Sequence, residues 1–102
     1  MNKAATWALA IADALNLPVW CRGVSEKPGF DPPQSCASVL VTDTGIDIDT
    51  QQTIRHAVRE EIGYSTGSSI DNIIIWNDHP GRKRTEVRNA FYRAAMRLGW
   101  KP

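Results

Sequence analysis

The cations near the carboxyl end of the chain offer the clearest chemistry that the sequence contains. Gly81-Arg82-Lys83-Arg84 comes immediately before a predicted helix that carries further arginines. Backbone N–H groups at the start of a helix, together with cationic side chains, can hold a phosphate or a carboxylate. Trp76 before this run and Tyr92 on the helix could add stacking surface. The sequence therefore predicts a binding surface made of Trp76, Arg82, Lys83, Arg84, Arg88, Tyr92, Arg93 and Arg97.

Charge is unevenly distributed along the chain, although the formal net charge is only +1. Residues 82–102 contain seven Lys and Arg and one Glu, whereas residues 1–50 contain three Lys and Arg and six Asp and Glu. A basic end of this kind can recruit phosphate or an acidic protein. It can also neutralise the acidic half of its own fold. Dedicated nucleic-acid binders usually have a much more basic balance.

A hydrolytic site is the enzymatic alternative that we consider from the sequence. Asp78, His79 and Glu86 could form a nuclease-like cluster, but phosphodiester hydrolysis normally uses metal-binding carboxylates from separate elements and a positioned water. Asn77 or Asp78 as the cap of the final helix explains the same polar turn without chemistry. We therefore expect no catalytic residue, and a hydrolase or nuclease that uses Asp78 and His79 is the least favoured alternative.

Metal and cofactor sites are not indicated by the spacing of the ligand-type residues. Cys21, Cys36, His56 and His79 are separated by 14, 19 and 22 residues, whereas structural zinc sites use closely spaced pairs. The glycines match neither a phosphate-binding loop nor a dinucleotide-binding turn. We expect no metal and no cofactor. The two cysteines could form a disulfide, but we expect them to be reduced thiols in a cytosolic protein.

Three amphipathic helices must position these residues. The first is predicted at 3–15 and ends before Pro18, the second begins at a cap on Asp49 and ends at Gly63, and the last spans about 83–98. Apolar residues recur at helical spacing in each of them. The predicted buried stripes are Trp7, Ala8, Ile11, Ala12 and Leu15; Ile54, Ala57, Val58 and Ile62; and Val87, Ala90, Phe91, Ala94 and Leu98.

The segments between these helices are less clearly signalled. Residues 18–34 contain four prolines and two glycines and are predicted to form a long irregular loop. Residues 35–42 suit a strand or a helical turn, and residues 70–76 favour a short helix over a strand. The predicted fold is mainly α, a compact single-domain bundle of three to four helices over residues 1–102. The alternative is an α+β fold with a small sheet from 37–42 and 72–76.

One stretch of the sequence resembles the signature of an uncharacterised family. Residues 75–87 read Ile-Trp-Asn-Asp-His-Pro-Gly-Arg-Lys-Arg-Thr-Glu-Val. They resemble small proteins of actinobacteria and their phages that have Trp-Asn-Asp, then Gly-Arg-Thr, then Glu-Val opening a helix. Trp20-Cys21-Arg22-Gly23 and Cys36-Ala37 are similar to earlier segments of that family, so the likeness covers roughly residues 7–98.

This chain departs from that signature at two positions. Lys83 stands where the family usually has threonine, which removes a Thr-to-Glu capping box with Glu86. A glycine expected a few residues after Cys36 is absent. The resemblance implies a helical fold and a phage-borne setting, and it implies no particular chemistry.

These observations predict a small non-enzymatic binding protein. The leading hypothesis is a phage or mobile-element accessory that inhibits a host defence system, as anti-CRISPR proteins do, by occupying the surface of a host protein or protein–nucleic-acid complex. Direct binding to nucleic acid is the alternative. No apolar run approaches the ~20 residues of a membrane span, so we expect a cytoplasmic protein with no membrane partner. The sequence leaves the oligomeric state open.

Overall fold

Helices make up most of the fold. A computed structural model of the chain describes residues 2–21, 26–27, 29, 34–42, 45–63 and 69–102. Within these ranges lie five helices, none of them long and apolar enough to cross a membrane: α1 (Lys3–Ala14), α2 (Ala37–Val41), α3 (Ile48–Ile62), α4 (Ser69–Asn77) and α5 (Arg84–Arg97). Two-residue strands β1 (Glu26–Lys27) and β2 (Gln34–Ser35) pair antiparallel, with Glu26 opposite Ser35 and Lys27 opposite Gln34. The mainly α prediction is confirmed.

The alternative sheet from 37–42 and 72–76 is wrong, because both segments are helical. In α4, Ile73 and Trp76 are buried, whereas Ile74 and Ile75 are exposed. A strand would place Ile73 and Ile75 on one face, while a helix brings residues three apart together. The short helix predicted at 70–76 is therefore confirmed. Much of the predicted 18–34 loop, namely residues 22–25, 28 and 30–33, lies outside the described residues.

The core forms where α5 packs against α1 and α3. The predicted stripes are confirmed, with Trp7, Ile62 and Leu98 half-buried at their edges. Both α1 and α5 present alanines to the core, which allows neighbouring helices to approach closely. The buried members of the three stripes are Ala8, Ile11, Ala12 and Leu15; Ile54, Ala57 and Val58; and Val87, Ala90, Phe91 and Ala94.

Two helix starts differ from the sequence prediction. The cap of α3 is Asp47 and not Asp49: its carboxylate accepts from Thr50 N at 3.1 Å and from Thr50 Oγ1 at 2.7 Å. The chain is already helical at Ile48, so the capping position falls one residue earlier. Lys3 Nζ lies 2.6 Å from Asp47, and this ammonium, followed by the Thr50 donors, holds the pKa of Asp47 well below its usual value.

The N-terminal cap of α5 is Lys83. The sequence had predicted Asn77 or Asp78 for this position. Asn77 still belongs to α4, and a turn that includes Gly81 at φ 84° separates the two helices. A lysine side chain has no acceptor for the first N–H groups of a helix. Glu86 Oε1 accepts from Lys83 N at 3.0 Å, which is the reciprocal half of a capping box. One contact of the expected box is therefore kept without the threonine.

Candidate binding surface

The first arginine of the basic run, Arg82, is turned into the fold. Its guanidinium lies 4.1 Å from the centre of the Trp76 ring, and its Nε donates to Trp76 O at 2.9 Å. Nη1 donates to Glu86 Oε2 at 3.0 Å, and the Arg82 side chain is only 14% exposed. Trp76 itself is buried in the core. Both residues were predicted to offer binding surface, and the structure instead uses them to hold the α4–α5 turn.

Asn77 joins three parts of the molecule and is fully buried. Its Oδ1 accepts from Trp20 Nε1 at 2.5 Å and from Ala37 N at 2.9 Å. Its Nδ2 donates to Cys21 O at 3.1 Å and to Asp78 Oδ1 at 3.0 Å. An amide side chain offers two acceptor and two donor positions, so this residue is fully used. It fastens the end of α4 to residues 20–21 and to the start of α2.

Sequence reasoning missed this role, although a signal was present. Asn77 follows Ile73 by four residues and therefore lies on the buried side of α4. A polar residue on a buried helical face has to find internal hydrogen-bond partners. The pattern can identify such a residue, but it cannot name partners as distant in sequence as Trp20 and Ala37.

Arg93 and Arg97 lie on one flank of α5 and share a single carboxylate from α3. Arg93 Nε is 3.3 Å from Glu61 Oε2, and Arg97 Nε is 2.9 Å from Glu61 Oε1. Both guanidiniums are about half exposed, whereas the Glu61 side chain is largely covered. Much of the positive charge on this flank is therefore balanced within the fold.

Arg88 lies on the other flank of α5, beside the end of α1. Its Nη1 donates to Asn16 Oδ1 at 3.0 Å, and its Nε and Nη2 each lie 3.4 Å from Asn89 Oδ1. Both acceptors are neutral amides, so these hydrogen bonds orient the guanidinium without cancelling its charge. The carboxyl end of a helix also favours a nearby cation.

Lys83 and Arg84 stand at the start of the same helix. Among the residues that the structure describes, neither forms an ion pair. The Lys83 side chain is exposed and Arg84 is half-buried. Arg84 and Arg88 are four residues apart, so they are neighbours on one helical face. We call Lys83, Arg84 and Arg88 the cationic strip.

An aromatic pair continues this flank of α5. Tyr92 stacks on Trp100 with ring centres 5.8 Å apart, and Tyr92 Oη donates to Asp13 Oδ1 at 2.7 Å. Trp100 was not predicted as a surface residue. Gly99, at φ 113°, turns the chain after α5, and Trp100 N bonds back to Ala95 O at 2.9 Å. The glycine at the helix end is the sequence signal for such a reversal.

Arg55 is a buried charge whose position the sequence does not reveal. Its Nη2 donates to Ser38 O at 3.2 Å and its Nη1 to Gln51 Oε1 at 3.3 Å, while Nε has no hydrogen-bond partner in the part of the chain that the structure describes. Burial lowers the pKa of this guanidinium. The contacts join α3 to α2, so we assign Arg55 to the packing of these helices.

Asp78 and His79, the residues of the hydrolase alternative, lie exposed in the α4–α5 turn. Asp78 accepts the hydrogen bond from Asn77 already described, and His79 Nδ1 lies 2.8 Å from Pro80 O. Within the described ranges, no three His, Cys, Asp or Glu side chains form a group that could hold a metal ion. The contacts of Asp78 and His79 lie within the α4–α5 turn and shape it.

The comparisons with known proteins locate the chain in a family without giving it a function. No curated protein matches the sequence, and no solved structure matches the fold. A family model described as "Family of unknown function (DUF6197)" matches residues 3–97. The match extends from the first residue of α1 to the last residue of α5. The chain therefore belongs to the DUF6197 family of unknown function.

Proposed function

We propose that the chain is a non-enzymatic binding protein that docks an acidic surface of a partner protein on the cationic strip. The observation behind this proposal is the difference between two sets of cations. Arg82, Arg93 and Arg97 each have a carboxylate partner. Arg88 has neutral amide acceptors, and Lys83 and Arg84 have no ion pair among the described residues. Among the cations of residues 82–97, the cationic strip is the part that keeps its charge for a partner.

The geometry of the cationic strip suits carboxylates. A guanidinium presents a planar fork of donors that fits a carboxylate with two parallel hydrogen bonds. Arg88 is already held by Asn16, so less side-chain freedom is lost when a partner binds. Arginine and aromatic side chains commonly contribute most of the free energy at protein interfaces, and Tyr92 with Trp100 borders the cationic strip.

Direct binding to nucleic acid is the second candidate, because the same cations suit phosphate. Single-stranded nucleic acid is usually held by base stacking on aromatic rings as well as by charge. Here Tyr92 and Trp100 stack on each other, so each ring has one face already occupied. A formal net charge of +1 adds little long-range attraction for a polyanion. These features favour an acidic protein as the partner.

Two variants with equal charge loss test the docking surface. Lys83→Gln/Arg84→Gln/Arg88→Gln removes the cationic strip, and Arg93→Gln/Arg97→Gln/Lys101→Gln removes three cations elsewhere. Binding of each folded variant to immobilised poly-L-glutamate is compared with that of the unaltered chain. We expect the first variant to lose about tenfold or more in affinity and the second about threefold or less. Equal losses would show that only total charge matters and would contradict the proposal.

A single-stranded oligonucleotide separates the two candidate partners in the same assay. If nucleic acid is the partner, the chain binds the oligonucleotide more tightly than poly-L-glutamate. Its affinity then falls with salt at a slope of about −2 for three phosphate contacts on a single strand. Weaker binding to the oligonucleotide than to poly-L-glutamate supports the acidic protein surface.

We further propose that the docking inhibits a host defence system in the cytoplasm, as the activity of a phage accessory protein. The support is the resemblance of residues 75–87 to phage-borne proteins. Expression of the chain in a bacterial host that carries an active CRISPR system tests this role. We expect plaque numbers to rise, and to rise less with the cationic strip removed. Unchanged plaque numbers would contradict the anti-defence role. The docking surface would still be tested separately by binding to poly-L-glutamate.

A further inference from the structure

Two extended segments run side by side, one containing Cys21 and the other containing Cys36, the residue just before α2. Trp20 and Ser35 form a parallel β-bridge. Cys21 N donates to Ser35 O at 3.0 Å, and Ser35 N donates to Val19 O at 2.7 Å. Ser35 thus bonds to the residues on either side of Trp20, which is the pattern of a parallel ladder.

This register implies that Cys21 lies beside Cys36. In a parallel pair, the residues after two bridged partners are the next partners, and their side chains point to the same face. Burial agrees with this alternation: Cys21 and Cys36 are each 4% exposed, whereas Trp20 and Ser35 are half-buried. Adjacent strands lie about 4.7–4.9 Å apart. That spacing falls inside the range of about 4.4–6.8 Å between Cα atoms that a disulfide requires.

The buried side chain of Asn77 fastens both segments at this point. Its Nδ2 donates to Cys21 O, and its Oδ1 accepts from the N–H of Ala37, the residue that follows Cys36. One amide side chain therefore holds the backbone of Cys21 and that of Ala37, the neighbour of Cys36. The approach of the two cysteines is part of the folded structure and needs no rearrangement of the helices.

We propose that Cys21 and Cys36 form a reversible disulfide by exchange with the disulfide of a low-molecular-weight thiol. One cysteine thiolate attacks a sulfur of that disulfide, which forms a mixed disulfide and releases one small thiolate. The second cysteine thiolate then attacks the protein sulfur, which forms the Cys21–Cys36 bond and releases the other small thiolate. The small disulfide is reduced to two thiols, which take up the two protons that the cysteines lose.

The bond closes residues 22–35, a loop of 14 residues, and so restricts the unfolded chain. Because the register already brings the cysteines together, the folded state gains little strain. We expect the oxidised protein to have a Tm about 10 °C higher than the reduced protein. The cysteines lie away from the cationic strip, so this inference does not depend on the proposed docking function.

Oxidation of the native protein is the test, with oxidised glutathione as the probe and intact mass, thiol count and Tm as the measurements. The expected product is a monomer that has lost two hydrogen atoms, has no thiol after denaturation, and melts at a higher temperature. Digestion should give a single linked peptide pair that contains Cys21 and Cys36. Addition of reduced thiol should restore both the starting mass and the starting Tm.

Two single variants, Cys21→Ala and Cys36→Ala, serve as matched controls. Each should stop at a glutathione adduct or remain a thiol, with no rise in Tm on oxidation. The proposal is overturned if the unaltered protein accumulates a stable glutathione adduct, forms a disulfide-linked dimer, or keeps both thiols. It is also overturned if the internal disulfide forms and lowers the Tm, because the cysteines would then not be in register in the folded protein.

Discussion

The α4–α5 turn and the cationic strip lie next to each other in sequence and both contain arginines. In the turn the arginine is part of the internal packing, whereas the cations of the cationic strip are proposed to face a partner. In the turn, Arg82 covers Trp76 and bonds to Glu86. Two residues further on, Arg84 has no ion pair among the described residues. A run of cations in the sequence is therefore not one surface. Each residue has to be assigned by where the backbone directs it.

The physical cause of the difference is the backbone between the two helices. Gly81 adopts φ 84°, which other residues rarely do, and the chain then reverses so that Arg82 lies over Trp76. The strip begins only where α5 starts. There the nearest partner of Arg88 is the amide of Asn16, which orients the side chain and leaves its charge. The turn is thus expected to govern stability, and the cationic strip to govern binding.

Asn77→Ala should have the largest effect, and it should act on stability. The substitution leaves the buried N–H of Ala37, the carbonyl of Cys21 and the indole N–H of Trp20 without their partner. We expect the free energy of unfolding to fall by about 3–5 kcal/mol. Urea unfolding followed by circular dichroism measures this change. Asn89→Ala, at an exposed position on α5, is the control and should cost about 0.5 kcal/mol or less. Equal losses in the two variants would contradict the role assigned to Asn77.

Glu61→Gln should have a smaller effect on stability and almost none on binding. It removes the carboxylate that Arg93 and Arg97 share and leaves two like charges side by side. We expect a loss of about 1 kcal/mol at low salt, and less at about 1 M salt because screening weakens the repulsion. The neighbouring Glu60→Gln is the control. A large rise in poly-L-glutamate binding would show that the Glu61 flank also belongs to the docking surface, because the substitution frees Arg93 and Arg97 for the anion.

Glu86 should make a small contribution to the acid sensitivity of the fold. The backbone N–H of Lys83, and after it the Arg82 guanidinium, holds the pKa of Glu86 below its usual value. The carboxylate therefore stabilises the folded state fully above the ordinary glutamate pKa of about 4.3, and this stabilisation is lost as the pH falls through the lowered value. Tm measured against pH should fall less steeply in acid for Glu86→Gln. If Tm falls equally steeply with acid in Glu86→Gln and in the unaltered protein, Glu86 makes no such contribution.

The sequence predicted the parts of the fold that depend on local periodicity. The stripes around Ile11, Val58 and Phe91 follow helical spacing, and hydrophobic burial enforces that spacing in the structure. For residues 70–76 the sequence favoured a short helix over a strand, but the apolar run 73–76 is too short to decide between the two by its period. In the folded protein α4 is a helix, and its buried Asn77 side chain forms hydrogen bonds to Trp20 and Ala37, which are distant in sequence.

The candidate site was less predictable because charge pairing depends on tertiary contacts. Arg82, Arg93 and Arg97 were expected in the docking surface with Arg84 and Arg88. Helical spacing places Arg93 and Arg97 on the opposite flank of α5 from Arg84 and Arg88, but it does not show which flank meets a carboxylate. Glu61 reaches the α5 arginines across 32 and 36 residues of sequence. Only Lys83, Arg84, Arg88 and Tyr92 remain together in the surface as we now propose it. Trp100 joins them through the turn at Gly99.

A matched pair of substitutions two residues apart, Arg82→Ala and Arg84→Ala, tests the central claim most directly. Each variant is measured for Tm and for affinity to poly-L-glutamate. We predict that Arg82→Ala lowers the Tm by about 5–10 °C and leaves the affinity of the folded protein within about twofold. Arg84→Ala should leave the Tm within about 2 °C and weaken binding by about threefold or more. If both variants change the same property, or if the two effects are exchanged, the division between the structural turn and the cationic strip is wrong.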